Sequence, residues 1–273
     1  MKTSVIVFPF DLFGSGGTRA GAELLADALR EMLADNRREK VPTRARAYAG
    51  KVRIDEYAFD RLADYQGWRE TAQNAARAAL ERGDFLVWLA GNHLGTLPVY
   101  DALSGTDALV VQFDAHLDVY NLSDCMNELS HGNFLLHAAG PLPRVVNIGH
   151  RDLLLRAGYV GKYLHSTFDA AALAIDPSPA LKEVAVRAGE AKRVFIDVDC
   201  DVFDPAYLPG SAHPQPPGIS PALFLRFLDA AWSAKVSGLA ISEFDPARDV
   251  NDRSLATLLW LIEYVLLRKY ERV

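Results

Sequence analysis

Apolar residues fall into two kinds of segment along this chain. Short runs with little polar alternation occupy residues 4–8, 85–89, 108–113, 145–148, 193–198 and 238–241. Such runs suit strands buried on both faces, the situation of a parallel sheet. Longer stretches with helical periodicity lie at 22–34, 69–81, 97–103, 133–139, 180–188, 221–234 and 255–269; in the first, Leu24, Leu25, Ala28, Leu29 and Met32 share one face. Strand and helix alternate throughout. The pattern predicts one α/β domain over residues 1–273, with helices on both faces of a mostly parallel sheet. No repeat, low-complexity tract or Ser/Gly linker interrupts it, and the proline-rich stretch 205–221 is expected to be a loop.

Composition narrows the partners. Of 273 residues, half are hydrophobic and 23% charged, and the formal charge is −6. A mildly acidic globular chain is a poor match for nucleic acid or an anionic membrane surface. Two cysteines, Cys125 and Cys200, build neither a disulfide framework nor a thiolate zinc site, and are expected as free thiols. The N-terminal stretch meets Asp11 too early for a secretory signal. The apolar run 255–267 is broken by Thr257 and Glu263 and is shorter than the ~20 residues of a membrane span. A cytoplasmic location is expected.

In open α/β sheets, ligands gather at the carboxyl ends of the strands. Four predicted strands empty into carboxylates or imidazoles there. Residues 85–89 lead to Gly91-Asn92-His93, and 108–113 to Asp114-Ala115-His116-Leu117-Asp118. Residues 193–196 lead to Asp197-Val198-Asp199-Cys200-Asp201, and 238–241 to Glu243. In extended chain, residues two apart share a face. Asp114, His116 and Asp118 are thus expected to project together, as are Asp199 and Asp201. Carboxylates so crowded repel one another without a counter-charge, and two divalent cations supply it. Oxygen and nitrogen donors without thiolate favour Mn²⁺-class ions.

These elements resemble those of the arginase/agmatinase (ureohydrolase) family. The family's GGDHS-like, DAHxD, His-Gly, SxDxDxxDP and late-Glu elements have counterparts in AGNHLGTLPV (90–99), FDAHLD (113–118), SHGNF (130–134), DVDCDVFDPAYLPG (197–210) and SEFDP (242–246), in family order. The resemblance implies an arginase-like three-layer α/β/α fold with about eight strands. It implies two Mn²⁺ ions, with Ni²⁺, Co²⁺ or Zn²⁺ as alternatives, held by His93, Asp114, His116, Asp118, Asp199 and Asp201. It implies hydrolysis of a guanidino compound to urea and an amine by a metal-bridging hydroxide, with Asp118 and His131 moving protons and Glu243 and His131 binding substrate. A homo-oligomer, trimer or hexamer, is also implied.

Asp-x-Asp-x-x-Asp-Pro is met by Asp199, Asp201, Asp204 and Pro205, which places Asp197 where the family has Ser; Asp197 is expected behind the ligands and Asp204 as a loop brace. Asn92 replaces an Asp. The loop 119–130 lacks the Asn and Ser pattern with which arginases hold an α-amino acid, and its Asp124 and Glu128 favour a cationic substrate tail. His137, His150, His165 and His213 match no motif; His150 follows a strand and lies within reach of the pocket. The glycine-rich turn 14–17 lacks the Gly-Lys-Ser/Thr of a phosphate loop and is expected to wall the site. Two alternatives remain. A deacetylase-like zinc amidohydrolase of the same fold would carry a His-His pair, absent here. A non-catalytic binding subunit would keep the fold without turnover.

Overall fold

A computed structural model describes residues 2–271 except 124 and 126. Eight strands form one sheet: β1 (Thr3–Phe8), β2 (Val52–Glu56), β3 (Phe85–Ala90), β4 (Ala108–Phe113), β5 (Arg144–His150), β6 (Ser166–Asp169), β7 (Arg193–Asp199) and β8 (Val236–Ser242). Their order is β2-β1-β3-β8-β7-β4-β5-β6 and every pairing is parallel. The helices are α1 (Thr18–Arg38), α2 (Leu62–Gln66), α3 (Trp68–Glu81), α4 (Leu97–Leu103), α5 (Ala157–Val160), α6 (Ala170–Ile175), α7 (Ser178–Glu190), α8 (Pro221–Ala231) and α9 (Arg253–Tyr270).

The continuous apolar runs explain the layering. Val5 and Val7 of β1 join the core beneath α1, α7, α8 and α9, while Ile6 and Phe8 join the one beneath α3 and α4. Each central strand is thus buried on both faces, and the three-layer α/β/α expectation holds, with the sheet wholly rather than mostly parallel. Two strands have no counterpart in the hydrophobic pattern. These are β2 and β6, the edges, whose half-exposed residues need no apolar run.

The predicted helix 133–139 is reduced to a single 3₁₀ turn, Phe134–His137. Its polar groups are spent elsewhere. Asn133 Oδ1 accepts from the Ser130 amide and its Nδ2 donates to the Glu128 carbonyl. The His137 carbonyl accepts from Arg69 and the Ala139 amide donates to Asp101.

The chain leaves β3 for β4, crosses to the far edge at β6, and returns to insert β7 and β8 between them. The four strand ends in the middle of the sheet, β3, β8, β7 and β4, are those that carry the predicted chemistry. A partly buried ion pair ties the neighbouring layer to this centre. Arg69 of α3 makes two bonds to Asp101 of α4, at 2.7 and 3.1 Å, and a third to the His137 carbonyl at 2.7 Å. The Asp101 side chain has no solvent exposure.

Arg69→Ala leaves that carboxylate unpaired and frees the segment following His131. It is expected to lower stability by about 2–4 kcal/mol, measured by urea unfolding; a midpoint unchanged from the parent would show the pair to be dispensable.

Candidate metal centre and active-site pocket

The six predicted ligands converge at the carboxyl edge of the sheet, and every carboxylate there is buried. Asp114, Asp118, Asp199, Asp201 and Glu243 are all under 5% exposed, as is Asp197. Local geometry differs from the extended chain expected from sequence. β4 ends at Phe113, and residues 114–118 form a turn in which Asp114 Oδ1 accepts from the His116 amide at 2.7 Å. Asp118 lies in the left-handed region at φ 51°. Asp199 closes β7, and its Oδ1 accepts from the Asp201 amide at 2.9 Å, starting a 3₁₀ turn. Asx turns, rather than strand alternation, aim these side chains inward. Glu243 also has a positive φ, 60°, and its amide donates to the Gly91 carbonyl, which joins the ends of β8 and β3. Two non-glycine residues held left-handed in one site is strain that the surroundings must sustain.

The donor atoms form two groups. His93 Nδ1 stands 2.8 Å from Asp118 Oδ2, 3.2 Å from Asp114 Oδ2 and 3.3 Å from Asp199 Oδ2. His116 Nδ1 stands 3.0 Å from Asp201 Oδ2 and 3.7 Å from Asp114 Oδ1. Among the described residues, His93, Asp114 and Asp118 make one set able to hold a metal ion and Asp114, His116 and Asp201 another, with Asp114 common to both. His93 Nδ1, Asp114 Oδ2 and Asp118 Oδ2 are buried without a hydrogen bond, the condition of atoms reserved for a cation. Cys200 lies between two of the predicted ligands in sequence but packs in the hydrophobic core, and burial pushes its thiol well up, so it offers no thiolate. The donors are carboxylate and imidazole only, which fits a pair of Mn²⁺-class ions.

The charges show what the cations would replace. Burial, then the charge of Asp118, raises Asp114 to about 8. Burial and the charges of Asp201 and Asp114 push Asp199 well above the carboxylate range. Burial opposes protonation of His116, but Asp201 and Asp114 outweigh it and lift the ring to about 10. Burial likewise opposes a charged His93, and the charges of Asp197, Asp114 and Asp118 overcome it. Asp201 is held down at about 2, because His116 and backbone donors outweigh its burial.

Asp197 lies against His93 on the side away from Asp114 and Asp118. Its Oδ2 meets His93 Nε2 at 3.0 Å and accepts from the Tyr100 hydroxyl at 2.6 Å. A carboxylate on the far nitrogen keeps a proton there and leaves Nδ1 its lone pair. Asp204 braces its loop, accepting from the Ala206 and Gly218 amides. Asn92 donates from Nδ2 to the Leu12 carbonyl at 2.9 Å, a bond an aspartate could not make.

Glu243 and His131 complete the site. Glu243 Oε1 accepts from the His93 amide at 2.9 Å and faces His131 Nδ1 at 3.4 Å, while Oε2 is buried without a partner. Burial opposes the charged form of His131, but Glu243 outweighs it and raises the ring. The glycine-rich turn packs behind His131 and lines the cavity next to the site rather than the site itself: the His131 amide donates to the Phe13 carbonyl at 3.0 Å, and a Cβ on Gly14 would stand 2.7 Å from the His131 ring. A pocket of about 260 Å³ joins these groups.

Three residues of the site lie outside every sequence motif. His213 lines the pocket, its ring 6.5 Å from that of His116 and 6.3 Å from that of His131. It rides on the proline-rich loop, which a bridge between Ser211 and Phe244 fastens beside Glu243. Tyr120 also lines the pocket. Arg151 donates to the carbonyls of Asp201 and Val202 and so fixes the turn that carries Asp201. Their signals in the sequence are weak, since none has a partner at a fixed spacing. His150 does not line the pocket, and Glu128 is exposed and lies outside its lining. Asp124 lies outside the described residues.

The chain resembles known proteins in sequence and in fold. The chain is 31% identical over 177 residues to arginase 1, mitochondrial, of Arabidopsis thaliana, a match covering 60% of this chain and 48% of the relative. It thus spans about half the length of the plant arginases. It is 26% identical over 254 residues to an agmatinase of Serratia proteamaculans, covering 89% of this chain and 79% of the other. The solved arginase of Bacillus subtilis superposes with a TM-score of 0.78 at 20% identity, covering 100% of this chain and 99% of that one, which shows a shared fold. The sequence profile of the arginase family matches residues 1–267, and the chain belongs to that family.

Proposed function

We propose that this protein is a dinuclear, Mn²⁺-class amidinohydrolase that cleaves a guanidino compound to urea and an amine. The observation that carries this is one juxtaposition. Two donor sets sharing Asp114 face the same small pocket as a buried carboxylate oxygen, Glu243 Oε2, that has no partner. The family membership and the agmatinase and arginase relatives support it.

His93, Asp114, Asp118 and Asp199 would hold one cation, and Asp114, His116, Asp199 and Asp201 the other. Bound there, such a pair supplies Lewis acidity that makes water a nucleophile near neutral pH. The chain's own residues do the rest. Glu243 Oε2 accepts N–H groups of the planar cation and sets its carbon toward the ligands. Glu243 is held for this by the His93 amide on its other oxygen. Asp118, lining the pocket, takes the proton released by the attacking water. His131, raised by Glu243, favours the protonated ring and delivers a proton to the departing amine. Water adds to the guanidinium carbon and one C–N bond breaks, so the cation and water give urea and an ammonium ion.

Glu243→Gln replaces an acceptor by a donor and removes a charge without touching a ligand. A charged hydrogen bond is worth roughly 1.5–3 kcal/mol, so urea release is expected to fall at least about ten- to a hundredfold while both metal ions stay. Metal content and urea release on one preparation check this: full activity removes Glu243 from the mechanism, and lost metal makes it a ligand.

Asp201→Ala is expected to hold no more than one ion per chain after gel filtration from excess Mn²⁺. Asp197→Ala keeps every ligand and is expected to hold two, with affinity weakened about ten- to a hundredfold. The reverse order would shift the ligand register by two residues.

A further inference from the structure

The pocket at the metal ligands continues outward. Tyr120, His131, Gly132 and His213 line both it and a second, larger cavity of about 680 Å³. These four residues are therefore the neck between an inner, carboxylate-lined chamber and an outer one. Among the described residues lining the outer chamber there is no Asp, Glu, Lys or Arg. Phe13 stands in its wall.

Phe13 is unusual on two separate counts. The residue is 57% exposed, and its backbone is left-handed at φ 59°. A bulky residue pays a steric cost in that conformation, and an exposed ring is unfavourable in water. The placement is nonetheless fixed, because the Phe13 carbonyl accepts from the His131 amide and Gly14 presses on the His131 ring. The Phe13 backbone is thus tied to the residue that marks the neck. Tyr120 supplies a second aromatic face at the same neck.

We infer that the outer chamber receives the tail of the substrate, and that this tail is uncharged and apolar, best an aryl ring on a short alkyl linker. The inference rests on the amidinohydrolase function proposed above and names its substrate class: an arylalkyl guanidine. The inner carboxylates draw the guanidinium end. An ammonium on the tail would meet no carboxylate among the described residues of the outer chamber, and a carboxylate would meet no Lys or Arg there, only imidazoles, of which His131 already faces Glu243 Oε1 at 3.4 Å. A flat ring instead finds Phe13 and Tyr120. Hydrolysis would join water's oxygen to the guanidinium carbon and break that carbon's bond to the tail nitrogen, yielding urea and an arylalkylammonium ion. Of the two residues behind the expected cationic tail, Glu128 is exposed and lines neither chamber, and Asp124 lies outside the described residues.

The test is urea release by the Mn²⁺-loaded protein from four compounds with the same reacting carbon: 2-phenylethylguanidine, agmatine, arginine and the tail-less guanidinium ion. The expected result is a kcat/KM for 2-phenylethylguanidine at least about tenfold above those of agmatine and arginine. Phe13→Ala is expected to raise KM for 2-phenylethylguanidine about three- to tenfold, with kcat changed less than KM. Agmatine or arginine turned over as well or better overturns the tail assignment and leaves the amidinohydrolase standing. An unmoved KM in Phe13→Ala overturns the tail assignment too. Urea from none of the four compounds defeats the parent function and the inference with it.

Discussion

Six buried carboxylates converge on one edge of this sheet: Asp114, Asp118, Asp197, Asp199, Asp201 and Glu243. Much of the surrounding structure manages their repulsion. Desolvation alone would drive such groups to hold protons, and Asp114 and Asp199 are indeed pushed far above the carboxylate range. Four elements return charge or hydrogen bonds. His116 pairs with Asp201, His93 sits among three aspartates, Arg151 lies against the Asp201 turn, and Tyr100 donates to Asp197. The left-handed backbone at Asp118 and Glu243 is part of the same constraint, since both residues must turn a carboxylate into the crevice immediately after a strand or tight turn. A pair of divalent cations, as proposed, would resolve this charge, and His93 Nδ1, Asp114 Oδ2 and Asp118 Oδ2 are buried there without a hydrogen bond.

The layering places these groups in concentric roles. Closest in are the donor atoms of the two sets that share Asp114. Behind them, Asp197 and Tyr100 fix the ring of His93, so that one nitrogen is protonated and the other faces the aspartates. Outward, Glu243 and His131 face each other across 3.4 Å, one oriented by the His93 amide and the other by the glycine-rich turn after β1. That turn comes from the opposite end of the sequence, yet Gly14 touches His131 because β1 neighbours β3 in the sheet. Topology thus brings segments more than a hundred residues apart into one pocket.

The central part of this arrangement is legible in the amino-acid sequence. Apolar runs mark every central strand, because a strand buried on both faces must be apolar nearly throughout. The edge strands β2 and β6 leave no such mark, because their residues are half-exposed. Asp114, His116, Asp118, Asp199 and Asp201 are legible because their spacing repeats, although the side chains converge through Asx turns and not through strand alternation. His213, Tyr120 and Arg151 are not legible. Each reaches the site through a loop whose path is set by distant bridges, such as Ser211 with Phe244, and no local pattern encodes that path. The predicted helix at 133–139 fails to form for a related reason: its backbone groups bond to Arg69 and Asp101 across the layer instead of to one another.

The central claim is that the carboxylate crowd is a two-cation site with Asp114 between the ions. Anomalous X-ray scattering at the manganese edge, from crystals grown with Mn²⁺, tests it without reference to any substrate. The account predicts two peaks in each chain, on either side of Asp114 and about 4 Å or less apart. A single peak, or ions bound away from Asp114, would contradict it.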